Sequence, residues 1–336
     1  MMAHNNTSRK RPTRADVAKL AGVSVATVSF ALNNDPRISE ATTRKVVEAA
    51  ARLDYRPSTL AQSLQSGVTH TLGLVMPDIS NPYFGELAEA LEKAAAQHGH
   101  TLLVNLSHGD ATVERIRIAE LVNRQVDAIF ISSAQSDADL ARLSQTGQHI
   151  VLLDRNRPIG NLRSVSSDLR QAAYDATTHL IEHGRRRIAL LSGSEDPSDP
   201  RTIGWKDAQK QAGLTPGPLI HAGFTADTSY AALSEILRDH PEHADAMFAS
   251  SDLVGVGALR ALREHGLCVP EDVAMVSLDG AFISRYTAPP LTVLQQDTTT
   301  IAQYAVSAAL DADAPTMQIV STTLVRRQSC GCVPLQ

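Results

Sequence analysis

From residue 72 onward the chain alternates short apolar runs with longer stretches of helical period, and this alternation restricts the fold more than any other feature. Leu72-Gly-Leu-Val-Met76, closed by Pro77-Asp78, reads as a buried strand, because a strand covered on both faces carries a continuous apolar run. A helix is predicted over 84–97, with Leu87, Ala88, Leu91, Ala94 and Ala95 on one face. Strands at 101–106, 128–132 and 150–153 and helices at 113–124 and 138–145 repeat the pattern. A second series has helices at 169–183, 202–212, 229–239 and 253–265, with strands at 188–191, 219–222, 246–249 and 273–278. Strands alternating with amphipathic helices predict parallel sheets covered on both faces. So many units exceed one comfortable sheet. The stretch 70–336 is therefore expected to be an α/β domain of two lobes, with the chain crossing between them in 154–168.

Residues 13–57 follow a different logic. Thr13-x-x-Asp16 has capping-box spacing and opens a helix, whose inward face is expected to be Val17, Leu20 and Ala21. Gly22 stops that helix, and Ser24 caps a second one running from Val25 to Asn33, with Val28 and Leu32 facing inward. Ser39 caps a third helix reaching to about Leu53, on which Val46, Val47, Ala50 and Leu53 close a small core. Helix, three-residue turn with glycine, helix is the geometry of a helix-turn-helix reader, which lays its second helix in a major groove. Charge agrees. The net charge of -5 divides into a surplus of 5 positive charges over residues 1–67 and a deficit of 10 over the rest. A basic head on an acidic body suits a polyanionic partner for the head alone. Residues 1–12, with Arg9, Lys10 and Arg11 in a row, read as a flexible basic arm that touches phosphates on DNA.

These motifs carry a resemblance. Asp-Val-Ala-Lys-Leu-Ala-Gly-Val-Ser-Val-Ala-Thr-Val-Ser, then Ile-Ser-Glu-Ala-Thr, then Leu-Asp-Tyr-Arg-Pro-Ser, is similar to the LacI/GalR family of bacterial regulators. The resemblance extends over nearly the whole chain, to about Gly331. It implies an all-α helix-turn-helix head joined to a periplasmic-binding-protein-like two-lobe effector domain. It places base reading at Val25, Ala26 and Phe30, an apolar set suited to thymine methyl groups. For Phe30, packing against the arm stands as an equal alternative. Thr13, Ser24, Thr27 and Ser29 are better placed for phosphate oxygens. Residues 58–67 look like the family's hinge helix, too short to be stable alone. By resemblance Ala61 and Leu64 enter the minor groove, where Leu64 wedges between base pairs. The partners implied are palindromic double-stranded operator DNA, a small-molecule effector and a second copy of the chain.

Ligands of open α/β sheets bind beyond the carboxyl ends of the strands. Polar residues there are Asp78, Asn81, Asp154, Arg155, Asp168, Arg201, Asp252 and Asp279. Carboxylates with a guanidinium suit a sugar, and Tyr83, Phe84, Trp205 or Phe224 could supply a stacking face. The family pattern singles out Tyr83 or Phe84, Arg201, Asp252 and Asp279; Asp154 and Arg155 complete the candidate effector set. The acidic run from Ser194 to Pro200 argues against an anionic ligand.

Other chemistry finds little support. His179-x-x-x-His183 lacks the glutamate of a zinc protease, and Cys330-Gly-Cys332 has no further cysteine or clustered histidine beside it in sequence. Solvated histidines and an incidental tail are expected, with no metal and no cofactor. Gly255-Val-Gly257 lacks a third glycine, no phosphate loop or nucleophile elbow exists, and no nucleophile has a base partner. Three cysteines suit a reducing cytoplasm. No signal peptide or membrane span is expected. The expectation is a cytoplasmic, non-enzymatic, dimeric repressor under allosteric control by a sugar-like effector, without a tetramerising heptad tail. Two alternatives stand beside it: a global regulator governed by a protein co-regulator, and a sugar-binding transport protein.

Overall fold

The computed structural model describes residues 12–33, 35–55, 67–239 and 244–332. The chain divides into two compact units, Met1–Thr69 and His70–Gln336. The expected arm up to residue 11 and the hinge segment, with Ala61 and Leu64, lie outside the described residues.

The first unit is built by its caps. Helix α1 (Arg14–Ala21) starts at Thr13, whose Oγ1 accepts from Asp16 N at 3.3 Å while the Asp16 carboxylate accepts from Thr13 N at 2.8 Å. Gly22, at φ 69°, ends it in the left-handed region where a side chain would be strained. Ser24 caps α2 (Val25–Leu32) and Ser39 caps α3 (Glu40–Arg52). Val17, Ala18, Val28, Ala31, Val46, Ala49 and Ala50 form the core. Two expected core residues are outside it: Leu20 is 48% exposed and Val47 is 51% exposed. At about 100° per residue, the buried stripe of α1 runs through Val17, Ala18 and Ala21, and that of α3 through Val46, Ala49, Ala50 and Leu53. Leu20 and Val47 sit to one side of these stripes.

The second unit holds two six-stranded sheets. The first lobe contains β1 (Thr71–Met76), α4 (Pro82–Gln97), β2 (Thr101–Leu106), α5 (Ala111–Asn123), β3 (Ala128–Ile131), α6 (Asp137–Leu143), β4 (Ile150–Leu152) and β5 (Arg163–Ser167). The second contains α7 (Leu169–Glu182), β6 (Ile188–Ser192), α8 (Pro200–Gln211), β7 (Leu219–His221), α9 (Ala226–Asp239), β8 (Ala246–Ala249), α10 (Asp252–Glu264), β9 (Ala274–Asp279) and β10 (Thr292–Gln295). The chain then returns to the first lobe for α11 (Thr298–Leu310) and β11 (Met317–Val320), and ends its strands in the second with β12 (Thr323–Val325). The sheets run β11-β5-β4-β3-β1-β2 and β12-β10-β9-β8-β6-β7. Apart from the antiparallel β10–β12 pair, all pairings are parallel.

Each lobe is thus doubly wound, with its switch point between β1 and β3 in one and between β6 and β8 in the other. The chain crosses between lobes three times, after Ser167, after Gln295 and after Val320. The expected crossing in 154–168 is present at its far end, because β5, a serine-rich strand without an apolar run, still belongs to the first lobe. Alanine, leucine and valine supply most of both cores. Helices α7 and α8 approach backbone to backbone: a Cβ on Gly204 would lie 2.0 Å from the Arg170 carbonyl oxygen.

Candidate functional site

In the first unit, the short second helix presents the expected reading surface. Val25 is 48% exposed, Phe30 39%, and Ala26 is also open to solvent. Thr13 and Ser24 are exposed at helix starts, with Thr27 and Ser29 half-buried beside them. Ser24 Oγ accepts from Thr27 N at 3.1 Å and shares a hydrogen bond with Thr27 Oγ1 at 2.8 Å. Helix starts present unpaired N–H groups and the positive end of the helix dipole, so hydroxyls there suit phosphate oxygens. Sequence reasoning missed Arg37. Its guanidinium lies 4.5 Å from the Phe30 ring centroid and forks onto Asp35 through Nε at 2.9 Å and Nη2 at 2.6 Å. Those hydrogen bonds hold the Asp35 carboxyl down at about 2. Phe30 therefore carries a cation on its face, which adds charge to an otherwise apolar reading set.

In the second unit, residues beyond the carboxyl ends of the strands converge between the lobes. Tyr83, at the start of α4, donates its hydroxyl to Gln296 Oε1 at 3.3 Å. Gln296 Nε2 donates to Asp279 Oδ1 at 2.8 Å. This chain of bonds joins the first lobe to the end of β9 through the second crossing. A direct latch runs beside it, from Phe282 N to Glu86 Oε1 at 2.8 Å. Asp279 sits at φ 101°, strained for a residue with a Cβ, as is common where a side chain must be aimed at a ligand.

Arg201 enters from the start of α8, where Asp199 is both helix cap and partner. Arg201 Nε and Nη2 fork onto Asp199 at 2.9 and 2.7 Å. Nη1 has only a long 3.5 Å contact with the Ser250 carbonyl oxygen, and the guanidinium lies 5.2 Å from the exposed Phe224 ring. Burial works against the Arg201 charge, but the hydrogen bonds and charge of Asp199, with the charges of Asp279 and Asp154, raise its pKa above the usual value. The acidic lead-in from Ser194 to Pro200 is explained by this pairing and by the turn that Asp196 closes with Ser198.

The carboxylates are held unequally. Burial, with the charge of Asp279 adding, pushes Asp252 up to about 8. Burial also pushes Asp279 up to about 6, against the Gln296 hydrogen bond and the charge of Arg201. Burial raises Asp154, with Arg155 opposing, and raises the Tyr83 phenol, with Asp279 and Asp154 adding. Asp154 Oδ2 accepts from Ser133 N at 3.0 Å and Ser132 Oγ at 3.2 Å. Its Oδ1 is buried and has no hydrogen-bond partner among the described residues. A buried acceptor in that state costs about 1–3 kcal/mol until something donates to it.

Tyr83, Asp154, Arg201 and Asp279 therefore act on one another, and other expected residues serve them. Asp252 spends both oxygens inside its lobe, on Ser277 Oγ at 2.6 Å and Ala281 N at 2.7 Å, which shapes the turn after Asp279. Arg155 reaches the carbonyls of Ser133 and Gln135 at 3.0 and 3.2 Å. Phe84 packs on the first-lobe core with its ring centroid 5.4 Å from that of Tyr83. Asp168 caps α7 through Gln171 N, and Asp78 closes a turn with Ser80. Trp205 offers no stacking face: it is 1% exposed, with Nε1 donating to the Ile188 carbonyl oxygen.

Gln296 was missed because it lies in the short link between β10 and α11, and nothing local marks a lone glutamine there as a partner of Tyr83 and Asp279. Glu114 was also missed. It is fully buried and accepts from Ser133 Oγ, Ala134 N and Gln135 Nε2, each at 2.7 Å. Its signal was present, since Glu114, Ile118 and Leu121 share the buried stripe of α5. A further correction concerns the histidines. His179, expected to be solvated, is 4% exposed, and the cysteine pair 330 and 332 lies against it and His183.

Comparison with known proteins places these features. The profile of bacterial regulatory proteins of the lacI family matches residues 13–58, and that of a periplasmic binding protein-like domain matches 177–330. The HTH-type transcriptional regulator GalR of Escherichia coli (strain K12) is 34% identical over 334 residues, spanning 96% of this chain and 97% of that protein. The ribose operon repressor of the same organism is 31% identical over 290 residues, spanning 84% and 88%. Among solved structures, the lac repressor dimer bound to operator and the anti-inducer ONPF superposes with a TM-score of 0.87 at 24% identity, covering 96% of this chain and 99% of that one. The complex of the transcriptional regulator CelR with cellobiose gives 0.69 at 29% identity, covering 95% and 100%.

Proposed function

The chain belongs to the lacI family of bacterial regulatory proteins, and from that premise we propose that it represses transcription as a homodimer on a two-fold operator, its grip set by a neutral sugar held between the lobes. Membership makes it a DNA-binding transcriptional regulator and not an enzyme. A transport protein is excluded by the reader at residues 13–58. The setting is the bacterial cytoplasm, where operator DNA is found. Among the described residues no single helix is long and apolar enough to cross a membrane.

One observation carries the choice of ligand. The guanidinium that the cleft network aims between the carboxylates, Arg201, is already forked onto Asp199, and Arg155 is already taken up by Asp154 and by the carbonyls of Ser133 and Gln135. What remains is one spare Arg201 donor, the unpartnered Asp154 Oδ1 and the Asp279 carboxylate. Neutral hydroxyl groups, which donate and accept, match that set; an added anion would face Asp154, Asp279 and Glu86. The exposed Phe224 ring offers the C–H face of a sugar an apolar partner. The names of relatives point the same way, since the ribose operon repressor and the CelR–cellobiose complex are named for sugars.

In this reading Val25, Ala26 and Phe30 read bases, and Thr13, Ser24, Thr27 and Ser29 hold phosphates. Lobe closure, made or broken through the Tyr83–Gln296–Asp279 bonds and the Glu86 latch, is the two-state element that couples ligand to operator. The hinge residues 58–67, with Ala61 and Leu64, transmit it. A thermal-shift screen of the full-length protein against neutral sugars and sugar acids tests the ligand class. A cognate sugar at a hundred times its Kd adds about 2.7 kcal/mol of stability and changes operator affinity in a gel shift. Stabilisation by charged sugars alone, or a bound sugar that leaves operator affinity unchanged, overturns the proposal. Leu64→Ala separates the parts: operator binding weakens while ligand binding stays within about twofold.

A further inference from the structure

We propose that His179, His183, Cys330 and Cys332 form a zinc site that fastens the last described segment of the chain to helix α7 of the second lobe. The residues come from two places far apart in sequence. His179 lies in the last turn of α7 and His183, four residues on, is its C-cap, so they share one face, with ring centroids 4.6 Å apart. Cys330 and Cys332 flank Gly331, whose φ of 90° makes the turn between them. Cys332 Sγ lies 3.3 Å from His183 Nε2 and 3.6 Å from His179 Nε2. All four ligand atoms lie within 4.8 Å of one another.

Those spacings fit one ion. With Zn–S near 2.3 Å and Zn–N near 2.0–2.1 Å, the edges of a tetrahedron are about 3.3–3.8 Å. The two Cys332–histidine distances already fall in that range, and the longest separation must close by about 1 Å. Two thiolates and two imidazoles select a tetrahedral, borderline-soft cation, and zinc above harder ions that prefer oxygen. Two thiolates also neutralise its charge, which matters where Cys330 is 1% and His179 4% exposed. Four protein ligands leave no open position, so the site is structural.

The surroundings are prepared for a thiolate. Thr292 Oγ1 donates to Cys330 Sγ at 3.0 Å, both buried. The Cys330 thiol also reaches the Arg327 carbonyl oxygen at 3.6 Å, a contact that metal binding replaces. Next to the cysteines, Ser329 is stitched to the sheet: its carbonyl accepts from Met275 N at 2.7 Å and its Oγ accepts from Thr292 N at 2.8 Å. Met275 and Thr292 belong to β9 and β10, the strands that end at Asp279 and just before Gln296. Pinning this segment therefore braces the strands that aim two cleft residues.

The test uses full-length, untagged protein kept fully reduced. Metal analysis after dialysis against buffer with trace zinc is expected to find about one zinc per chain. Replacement by cobalt is expected to give the visible ligand-field bands of a tetrahedral thiolate site. Cys332→Ser and His183→Gln, both at accessible positions, each abolish the cobalt bands and the zinc while circular dichroism stays native; Cys268→Ser keeps both. Chelation lowers the thermal midpoint of the parent protein and not of Cys332→Ser. Reduced, folded protein without stoichiometric zinc or cobalt bands overturns the proposal. So does metal that persists in both variants, or a Cys330–Cys332 disulfide that survives reductant.

Discussion

The reader and the interlobe cleft solve the same problem, placing polar groups where a partner can use them, over different distances along the chain. In the described part of the reader the side chains at the helix starts and in the loop before α3 are held by neighbours: Thr13 by Asp16, Ser24 by Thr27, Asp35 by Arg37 and Ser39 by Thr42. In the cleft the decisive bonds join Tyr83 to Gln296 and Glu86 to Phe282. Local bonding leaves the outer face of α2 open, so DNA binding replaces only water. Long-range bonding leaves the cleft groups buried and engaged with each other, so a ligand must exchange bonds with them. That exchange is what allows a ligand to change lobe arrangement at all.

Ionic strength draws the sharpest contrast. Operator affinity, followed by fluorescence anisotropy, is expected to fall by about 10³-fold or more between 50 and 200 mM salt, while sugar binding to the neutralised cleft stays nearly level. Equal salt dependence of both would break the distinction. Next comes Arg201→Ala. It leaves the Asp199 carboxylate, 7% exposed, without its fork, which is expected to cost about 3–5 kcal/mol of stability in the second unit and to remove ligand binding, by denaturation and calorimetry. Loss of ligand binding at unchanged stability would show that the fork is dispensable for folding.

The cleft carboxylates also predict a pH response, opposite in sign to that of Asp35 in the reader. Asp252 is raised to about 8 and Asp279 to about 6 in the folded protein, above the usual carboxylate value near 4. The folded state therefore binds more protons than the unfolded state between those limits, so stability must fall as pH rises through them. Stability of the second unit, followed through its thermal midpoint, is expected to drop from pH 5 to pH 8, by at most about 1.4 kcal/mol per pH unit for each of the two groups, and the Asp252→Asn variant is expected to flatten the slope. A midpoint rising over that range would refute the assignment. The smallest effect belongs to Ser24→Ala, which removes the α2 cap and is expected to cost about 1 kcal/mol, seen as weaker operator binding with ligand binding intact.

Much of this organisation was legible before the structure. The capping box at Thr13, the glycine stop at Gly22 and the cap at Ser24 are readable because each depends on residues no more than four apart. The apolar runs of β1, β3, β6, β8 and β9 are readable because buried strands need them. The resemblance then pointed to Tyr83, Arg201 and Asp279, which the cleft brings together. It could not show that Asp252 works inward on Ser277 and Ala281, since an aspartate just beyond a strand end has the same appearance in either role. Leu20 and Val47 were misplaced because both are apolar next to residues more central to the stripe, where hydrophobicity alone does not discriminate.

The sequence by itself determined the helix-turn-helix reader, the succession of strands and helices, and the charge division between head and body. These follow from capping bonds and apolar periods that act over a few residues. Tertiary structure alone decided that the chain crosses between lobes three times, that Gln296 stands between Tyr83 and Asp279, that Glu114 holds the loop after β3, and that two histidines meet two cysteines some 150 positions further on. No local period encodes such meetings. They are fixed only when burial of both lobe cores forces the chain to return, and burial free energy depends on the whole packed arrangement and not on any one stretch of it.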